Sequence, residues 1–287
     1  MAGFSRCIKS CFYAGLLLRA GFNVYANPMM QTKPQLDIIL EKCAEYCDRL
    51  SNAVLHFVCT ERVIQEVFQG GPIDLHTNLG HPVIISTRSK LEKKEFVYDY
   101  QLYYKDNQIS EVRHLLEEDG KEKREEFAEL KGLRFEHKNV ILGPIGLLSR
   151  KWQQYHNYRI LKREKFKGQD VWVIEAAPKP NQETGHLYGK IWVSQKDFSI
   201  LRIEWNQQAI KGYEQLIEEC KKNNLEPFFT LISEYTFLKN GIRFPSSYEM
   251  KEEYSYWGNR KNLAAKKVVT YDNYKFFTVE TKVEYKK

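Results

Sequence analysis

The stretch GKIWVSQKDFSILRIEW, Gly189 to Trp205, alternates apolar and polar residues on both sides of a short polar turn. Successive side chains of a strand point to opposite faces, so the pattern predicts an antiparallel hairpin. In strict register Ile191, Val193, Leu201, Ile203 and Trp205 share one face, while Lys190, Arg202 and Glu204 lie on the other with Trp192 and Ile200. A wholly apolar strand face has to be covered, either by the chain's own helices or by something the chain binds.

Most of the chain repeats the same period. Strand patterns follow one another in "AVLHFVCTERVIQEVF", "KEFVYDYQLYYK", "QISEVRHLLEE", "RILKREKF", "VWVIEAAPK", "FFTLISEYTFL", "IRFPSSYEMKEEYSYW", "LAAKKVVTYDNYKFF" and "TVETKVEYK". Short turn signals separate them, Asp106-Asn107 and Asn240-Gly241 being the clearest. Helical spacing appears in three places. Leu36, Ile39, Leu40, Cys43, Cys47 and Leu50 form an apolar stripe near the start. Pro144 opens a second helix whose stripe is Ile145, Leu148, Trp152 and Tyr155, and residues 209–224 carry a third with Tyr213, Leu216, Ile217 and Cys220 on one side. Residues 70–90 read as loop, and the highly charged run Gly120 to Leu142 reads as solvated. The sum is a mainly β (α+β) fold. It is one large curved antiparallel sheet, or incomplete barrel, of about eleven strands, with two or three helices covering the concave side. Residues 27–287 form a single domain.

The charge pattern removes one class of partner. Lys and Arg number 44 against 37 Asp and Glu, but Arg6, Lys9 and Arg19 fall in an N-terminal stretch without acids, and elsewhere the signs alternate. There is no basic stripe, so nucleic acid is not expected as a partner. Arg6 and Lys9 followed by the short apolar run "CFYAGLLL" and by Val24-Tyr25-Ala26 have the form of a signal peptide over residues 1–26, with cleavage before Asn27. The expectation is an exported, periplasmic or otherwise extracytoplasmic protein, soluble after cleavage.

Export would leave Cys43, Cys47, Cys59 and Cys220. Cys43 and Cys47 are one helical turn apart and poorly placed to bridge each other, so the expected disulfide joins Cys59 to Cys47, or else to Cys43. A zinc set of Cys43, Cys47, Cys59 and His56 is opposed by strand alternation, which sends His56 and Cys59 to opposite faces. No metal and no cofactor are expected. The sequence holds no phosphate-binding glycine loop, no His-Glu-x-x-His and no Gly-x-Ser-x-Gly. His76 and His81 sit in a polar loop without a third ligand, and Glu252 and Glu253 are neighbours on a strand and face opposite ways. The reading is therefore of a binding or carrier protein, not an enzyme.

Three segments carry a family resemblance: "GQDVWVIEAAPKP", "YGKIWVSQKDFSILRIEW" with Asp197 in its turn, and "GIRFPSSYEMKEEY". Together with the opening helix and long strand at 36–69 they resemble the outer-membrane lipoprotein-sorting (LolA/LolB-like) family. The resemblance implies an unclosed, strongly curved antiparallel barrel with helices plugging its open side and an apolar cavity that holds an acyl chain. It implies an acyl lipid or lipoprotein as ligand, transient membrane contact, and an envelope protein as a further partner. Two segments depart from the compact carriers, residues 106–157 being longer and the helix at 209–224 inserted. The carriers' functional arginine matches no single position. On this reading Leu148, Trp152 and Tyr155 form a helical lid over a cavity walled by Ile191, Val193, Leu201, Ile203 and Trp205. A lipid-sensing regulator, a lipid hydrolase and an envelope structural protein with a closed core remain as alternatives.

Overall fold

The computed structural model describes residues 33–69, 75–76, 82–83, 90–105, 108–130, 132–135, 137–180, 188–210, 212–256 and 261–277. Eleven of the described strands form one antiparallel sheet: β1 (Phe57–Gln69), β2 (Lys90–Lys105), β3 (Gln108–Glu118), β4 (Lys121–Glu125), β5 (His156–Phe166), β6 (Gln169–Pro178), β7 (Gly189–Ser194), β8 (Ile200–Trp205), β9 (Leu225–Glu234), β10 (Ser247–Tyr256) and β11 (Asn262–Phe276). Their order across the sheet is β4-β3-β2-β1-β11-β10-β9-β8-β7-β6-β5. Two meanders are thus welded where the first strand pairs with the last, Val63 opposite Val269. The sheet is left unclosed, with β4 and β5 as its edges. Two short ladders lie outside it, Leu75–His76 with Pro82–Val83 and Phe237–Lys239 with Ile242–Phe244. The signal peptide, His81, the Asp106-Asn107 turn and "TVETKVEYK" beyond Phe277 lie outside the described residues.

The helices are α1 (Lys33–Ala53), α2 (Gly143–Leu148), α3 (Arg150–Gln153) and α4 (Tyr213–Lys222). α1 buries Ile39, Cys43, Tyr46, Cys47 and Leu50, one stripe at helical spacing, into the main core. The stripe expected to make one helix from Ile145 to Tyr155 is broken into two. Ser149 is extended at φ −68°, ψ 152°, and its carbonyl accepts from the amides of Trp152 and Gln153. Gln153 Nε2 caps the break by donating to the carbonyls of Leu148 (2.7 Å) and Leu40 (2.8 Å). The chain must then straighten into β5, which leaves Tyr155 in the turn before the strand.

Topology explains why so long a segment separates β4 from β5. The two are opposite edges of an eleven-stranded sheet, about 48 Å apart if the sheet were flat. Residues 126–155 make the crossing, and they do so over the concave face. The Ala128 amide donates to the Arg113 carbonyl on β3. The Arg134 amide donates to Gln65 on β1, and Tyr235, just past β9, donates to the Val140 carbonyl. Further on, the Tyr158 hydroxyl of β5 donates to the carbonyl of Leu147. At Gly143 the crossing comes so close to the sheet that a Cβ would stand 2.6 Å from the Tyr235 hydroxyl oxygen and 3.0 Å from the Trp205 ring. The charged run Gly120 to Leu142 is therefore not uniformly solvated. β4 is exposed along its whole length, but Leu133, Phe135, His137, Val140 and Ile141 are buried.

The opening hairpin departs from strict register in one place. Val193 pairs with Ile200 but Ile191 pairs with Ile203, so β8 carries one extra residue between Ile200 and Arg202. The bulge turns Leu201 away from Ile203 and Trp205. Leu201 packs instead with Val171, Val173 and Trp192 in a small cluster on the other side of the sheet, and Ile200 takes a place in the main core. Arg202 closes the small cluster, its guanidinium 5.0 Å from the Trp192 ring centre.

Cys43, Cys47, Cys59 and Cys220 are buried free thiols, and the bridge expected from Cys59 to Cys47 or Cys43 is not formed. The thiols face different partners. Cys47 Sγ donates to the Pro144 carbonyl of α2 at 3.4 Å, while Cys59 on β1 lies beside Tyr274 of β11. Burial pushes the Cys43 thiol up to about 12, which keeps it protonated and unreactive.

Candidate functional site

The crossing and the sheet border a half-open cavity of about 1240 Å³. Its floor is the inner face of β8, β9 and β10, through Trp205, Leu231, Ser233, Tyr248 and Met250. Its wall is the crossing itself, from Leu133 to Gly146, with Trp152, Ile210 and Gln215 at other points. The inner faces follow from strand alternation, and Trp205 is fixed there by donating Nε1 to Ser233 Oγ at 2.9 Å.

Of the residues singled out in the sequence, Trp152 and Trp205 line this cavity. Tyr155 is half-buried beside Trp152, ring centres 5.4 Å apart. Leu148, Ile191, Val193 and Ile203 are completely buried members of the main core that do not border the cavity, and Leu201 is on the opposite side of the sheet. Most of the hairpin's apolar face is therefore ordinary core.

Two buried polar clusters clamp the crossing segment to the sheet. In the first, Arg113 of β3 grips Glu61 of β1 with two nitrogens, Nε to Oε2 at 2.5 Å and Nη2 to Oε1 at 3.1 Å. His137 Nε2 lies 3.0 Å from Glu61 Oε1, and Lys267 of β11 lies 3.2 Å from His137 Nδ1 while also donating to the Phe135 carbonyl. Lys267 is a donor, so Nδ1 must accept and Nε2 must carry the proton given to Glu61. Burial holds His137 below its ordinary pKa, with Lys267 and Arg113 pressing the same way against the pull of Glu61. It is the neutral ring that fits. Burial alone would raise the Glu61 carboxyl, but His137 and Arg113 together bring it down to about 2. In the second cluster Arg134 binds Glu252 of β10 through Nε at 2.7 Å and Nη2 at 2.8 Å, and the Tyr254 hydroxyl donates to the same carboxylate at 2.7 Å.

These residues were missed by reading the charged run as solvated, yet a signal was present. Along β1 the inward set is Phe57, Cys59, Glu61, Val63 and Gln65, all buried, so two polar residues occupy positions that should be apolar. Lys267 sits likewise between Ala265 and Val269, and Glu252 between Met250 and Tyr254. A charge in an inward register needs a buried partner, and His137, Arg113 and Arg134 are those partners.

Among the described residues no group of three His, Cys, Asp or Glu is arranged to hold a metal, and no helix is long and apolar enough to cross a membrane.

A family model described only as "-like: Uncharacterized protein" matches residues 147–217. No curated protein matches the chain. The chain is similar to several solved structures. A DUF1329 family protein from Desulfovibrio piger is 10% identical, with 85% of this chain and 94% of that one covered, at a TM-score of 0.39. A LolA superfamily protein from Nitrosomonas europaea is 14% identical, covering 85% and 94%, at 0.36. A putative outer-membrane lipoprotein-sorting protein domain from Vibrio parahaemolyticus is 13% identical, covering 84% and 93%, at 0.36. The lipoprotein-sorting resemblance read from the sequence recurs among these structures.

Proposed function

We propose that this chain is an exported carrier that shelters an acyl chain between the concave face of its sheet and the crossing segment. The supporting observation is the cavity of about 1240 Å³ with Trp152 and Trp205 in its lining. Ligand pockets are commonly 300–1,000 Å³, so the space suits a long flexible molecule. Withdrawing a sixteen-carbon chain from water yields roughly 12 kcal/mol at ~0.8 kcal/mol per methylene, which an apolar lining can supply. The ligand is an acyl lipid or lipoprotein, taken up or delivered during transient membrane contact, with an envelope protein as the other party to the exchange. Export rests on the signal-peptide pattern at residues 1–26. Mass analysis of the protein from its own host should find Asn27 at or near the N-terminus.

The carrier reading is tested by uptake of a fluorescent fatty-acyl probe. Trp152→Glu should abolish uptake, because it places a charge on the cavity wall without entering the closed core. Lys190→Ala, on the outer face of the hairpin and paired with Glu204, should bind as the wild type does. Circular dichroism must show that both variants fold. A wild type that takes up no probe, or a Trp152→Glu variant that binds normally, refutes the proposal.

A further inference from the structure

Wall and floor of the cavity meet at one imidazole. Phe135 and His137 line the cavity from the crossing, and Tyr248 lines it from β10. The His137 side chain has no exposure, and its ring lies over Tyr248 with centres 6.0 Å apart and planes 24° apart. Nε2 faces Glu61 of β1 at 3.0 Å, and Nδ1 faces Lys267 of β11 at 3.2 Å. Lys267 holds the crossing a second time, because its ammonium also donates to the Phe135 carbonyl. The same ammonium is 5.6 Å from the Tyr248 ring centre.

This setting admits only one form of the ring. An ammonium has three donors and no acceptor, whatever else it meets, so Nδ1 has to stay without a proton. A proton at Nδ1 would set one donor against another across 3.2 Å. Lys267 would then have to withdraw, and its bond to the Phe135 carbonyl would go with it. The surrounding groups act in the same direction. Burial disfavours the imidazolium most, and Lys267 and Arg113 oppose it too, while Glu61 alone favours it and is already gripped by Arg113 of β3. Glu111 of β3 is engaged by Arg113, the Tyr100 hydroxyl and the Asn139 amide. Burial keeps the Tyr248 hydroxyl neutral. On the crossing itself Arg134 is paired with Glu252, and Lys138 is exposed.

We infer that His137 is an acid-sensitive latch: a proton at Nδ1 parts Phe135 and His137 from β1 and β11 and frees the molecule held in the cavity, while the β7–β8 hairpin stays closed. This inference rests on the acyl-carrier reading and adds the control of its release. Once parted, the ring reaches water and titrates near its ordinary 6.5, whereas the latched ring titrates lower. The parted form therefore binds more protons, and below pH 6.5 acid favours it by up to about ten-fold per unit. Glu61 titrates at about 2 and stays ionised through this range, so the effect belongs to the imidazole.

The experiment times release by stopped flow, as an uncharged pyrene-labelled acyl ester passes from the full chain to excess phosphatidylcholine vesicles. Neither probe nor vesicle titrates between pH 5.5 and 7.5. Release should be about ten-fold faster at pH 5.5 than at pH 7.5, because its rate follows the parted fraction. His137→Gln keeps a donor for Glu61 and an acceptor for Lys267 but takes up no proton, so its release should be the same at both pH values. Hydrogen exchange in the ligand-free wild type tests the latch without relying on that variant's folding. At pH 5.5 the amides of Leu133, Phe135 and Val140 should lose protection relative to those of Ile191 and Ile203 in the same sample. Equal release rates at the two pH values overturn the latch and leave the carrier reading intact. So does an acceleration that persists in His137→Gln, or a loss of protection that the hairpin shares equally. A wild type that takes up no probe at either pH overturns both.

Discussion

The β7–β8 hairpin and the crossing segment lie against the same core and bury themselves by opposite means. The hairpin uses Ile191, Val193, Ile200 and Ile203, none of them with measurable exposure, and its charges stay outside. The crossing buries charge: Glu61, Arg113 and Lys267 around the neutral His137 at one clamp, Arg134 and Glu252 at the other. Apolar contacts are non-directional and tolerate small shifts. Buried ion pairs are demanding, since removing one partner strands the other in a low dielectric. The hairpin is thus held by packing, and the crossing that walls the cavity by the packing of Leu133, Phe135, Val140 and Ile141 together with a few exacting bonds.

The largest expected effect comes from breaking the first clamp. Glu61→Gln takes from buried Arg113 the carboxylate it grips with two nitrogens, leaves it Glu111 alone, and should cost about 3 kcal/mol in urea unfolding. Ile191→Val in the hairpin should cost only about 0.5–1.5 kcal/mol. If the two variants proved equally mild, the contrast between the regions would collapse.

Acid should attack the same clamp. Glu61 titrates at about 2 when folded against an ordinary value of 4.5, so its stabilisation is complete above pH 4.5 and disappears as pH falls from there toward 2. His137 is held below 6.5, so the unfolded chain takes up a proton first and stability begins to fall as pH drops below 6.5. Thermal unfolding followed from pH 8 to pH 3 should therefore show a shallow loss below 6.5 and a steeper one below 4.5. In His137→Gln the shallow stage should be missing. Its persistence would assign that stage to other groups.

How much of this was legible follows from the same contrast. Regular period-two patterns reveal strands and their faces, which is why ten of the sheet's eleven strands, the helix at the start and the buried stripe of α4 could be read directly, while β4 falls in the run read as solvated. Register is non-local. Nothing in "KDFSILRIEW" marks the bulge that turns Leu201 outward, because the extra residue is defined only against β7. The crossing was misread for a different reason. Its charges resemble those of a solvated loop until they are matched with Glu61, Glu252 and Lys267, which are distant in sequence. Inward-register charges on three strands were the available clue, and they called for a partner that local patterns could not name.

The satellite cluster on the outer side of the sheet offers a smaller test. Leu201 is fully buried among Val171, Val173 and Trp192. Leu201→Ala should cost about 2–3 kcal/mol, near the low end for a buried leucine, since this cluster is small and partly closed by Arg202. Acyl-probe affinity should not change. Had Leu201 faced the cavity, as strict alternation suggests, affinity would fall along with stability. A loss of affinity in a variant that still folds would place the side chain on the wrong face.

The smallest effect belongs to a bond of the same chemical kind as the clamp but in a different setting. Lys190 on β7 meets Glu204 on β8 at 3.0 Å, and their side chains are 44% and 35% exposed. Water screens this pair and two flexible side chains must be ordered to make it, so it should contribute less than about 1 kcal/mol. Arg113 and Glu61 are 6% and 0% exposed and have no such screening. A double-mutant cycle on each pair, Lys190→Ala with Glu204→Ala and Arg113→Met with Glu61→Leu, measures the two coupling energies on one scale. The hairpin pair should lose most of its coupling at 1 M salt, where the Debye length is about 3 Å, and the buried pair should retain it. Removing both members of the buried pair should also cost less than the two single losses summed, because Arg113 is no longer stranded while Glu111 keeps its bonds from the Tyr100 hydroxyl and the Asn139 amide. Equal coupling energies, or equal sensitivity to salt, would mean that burial is not what distinguishes the wall of the cavity from the hairpin beside it.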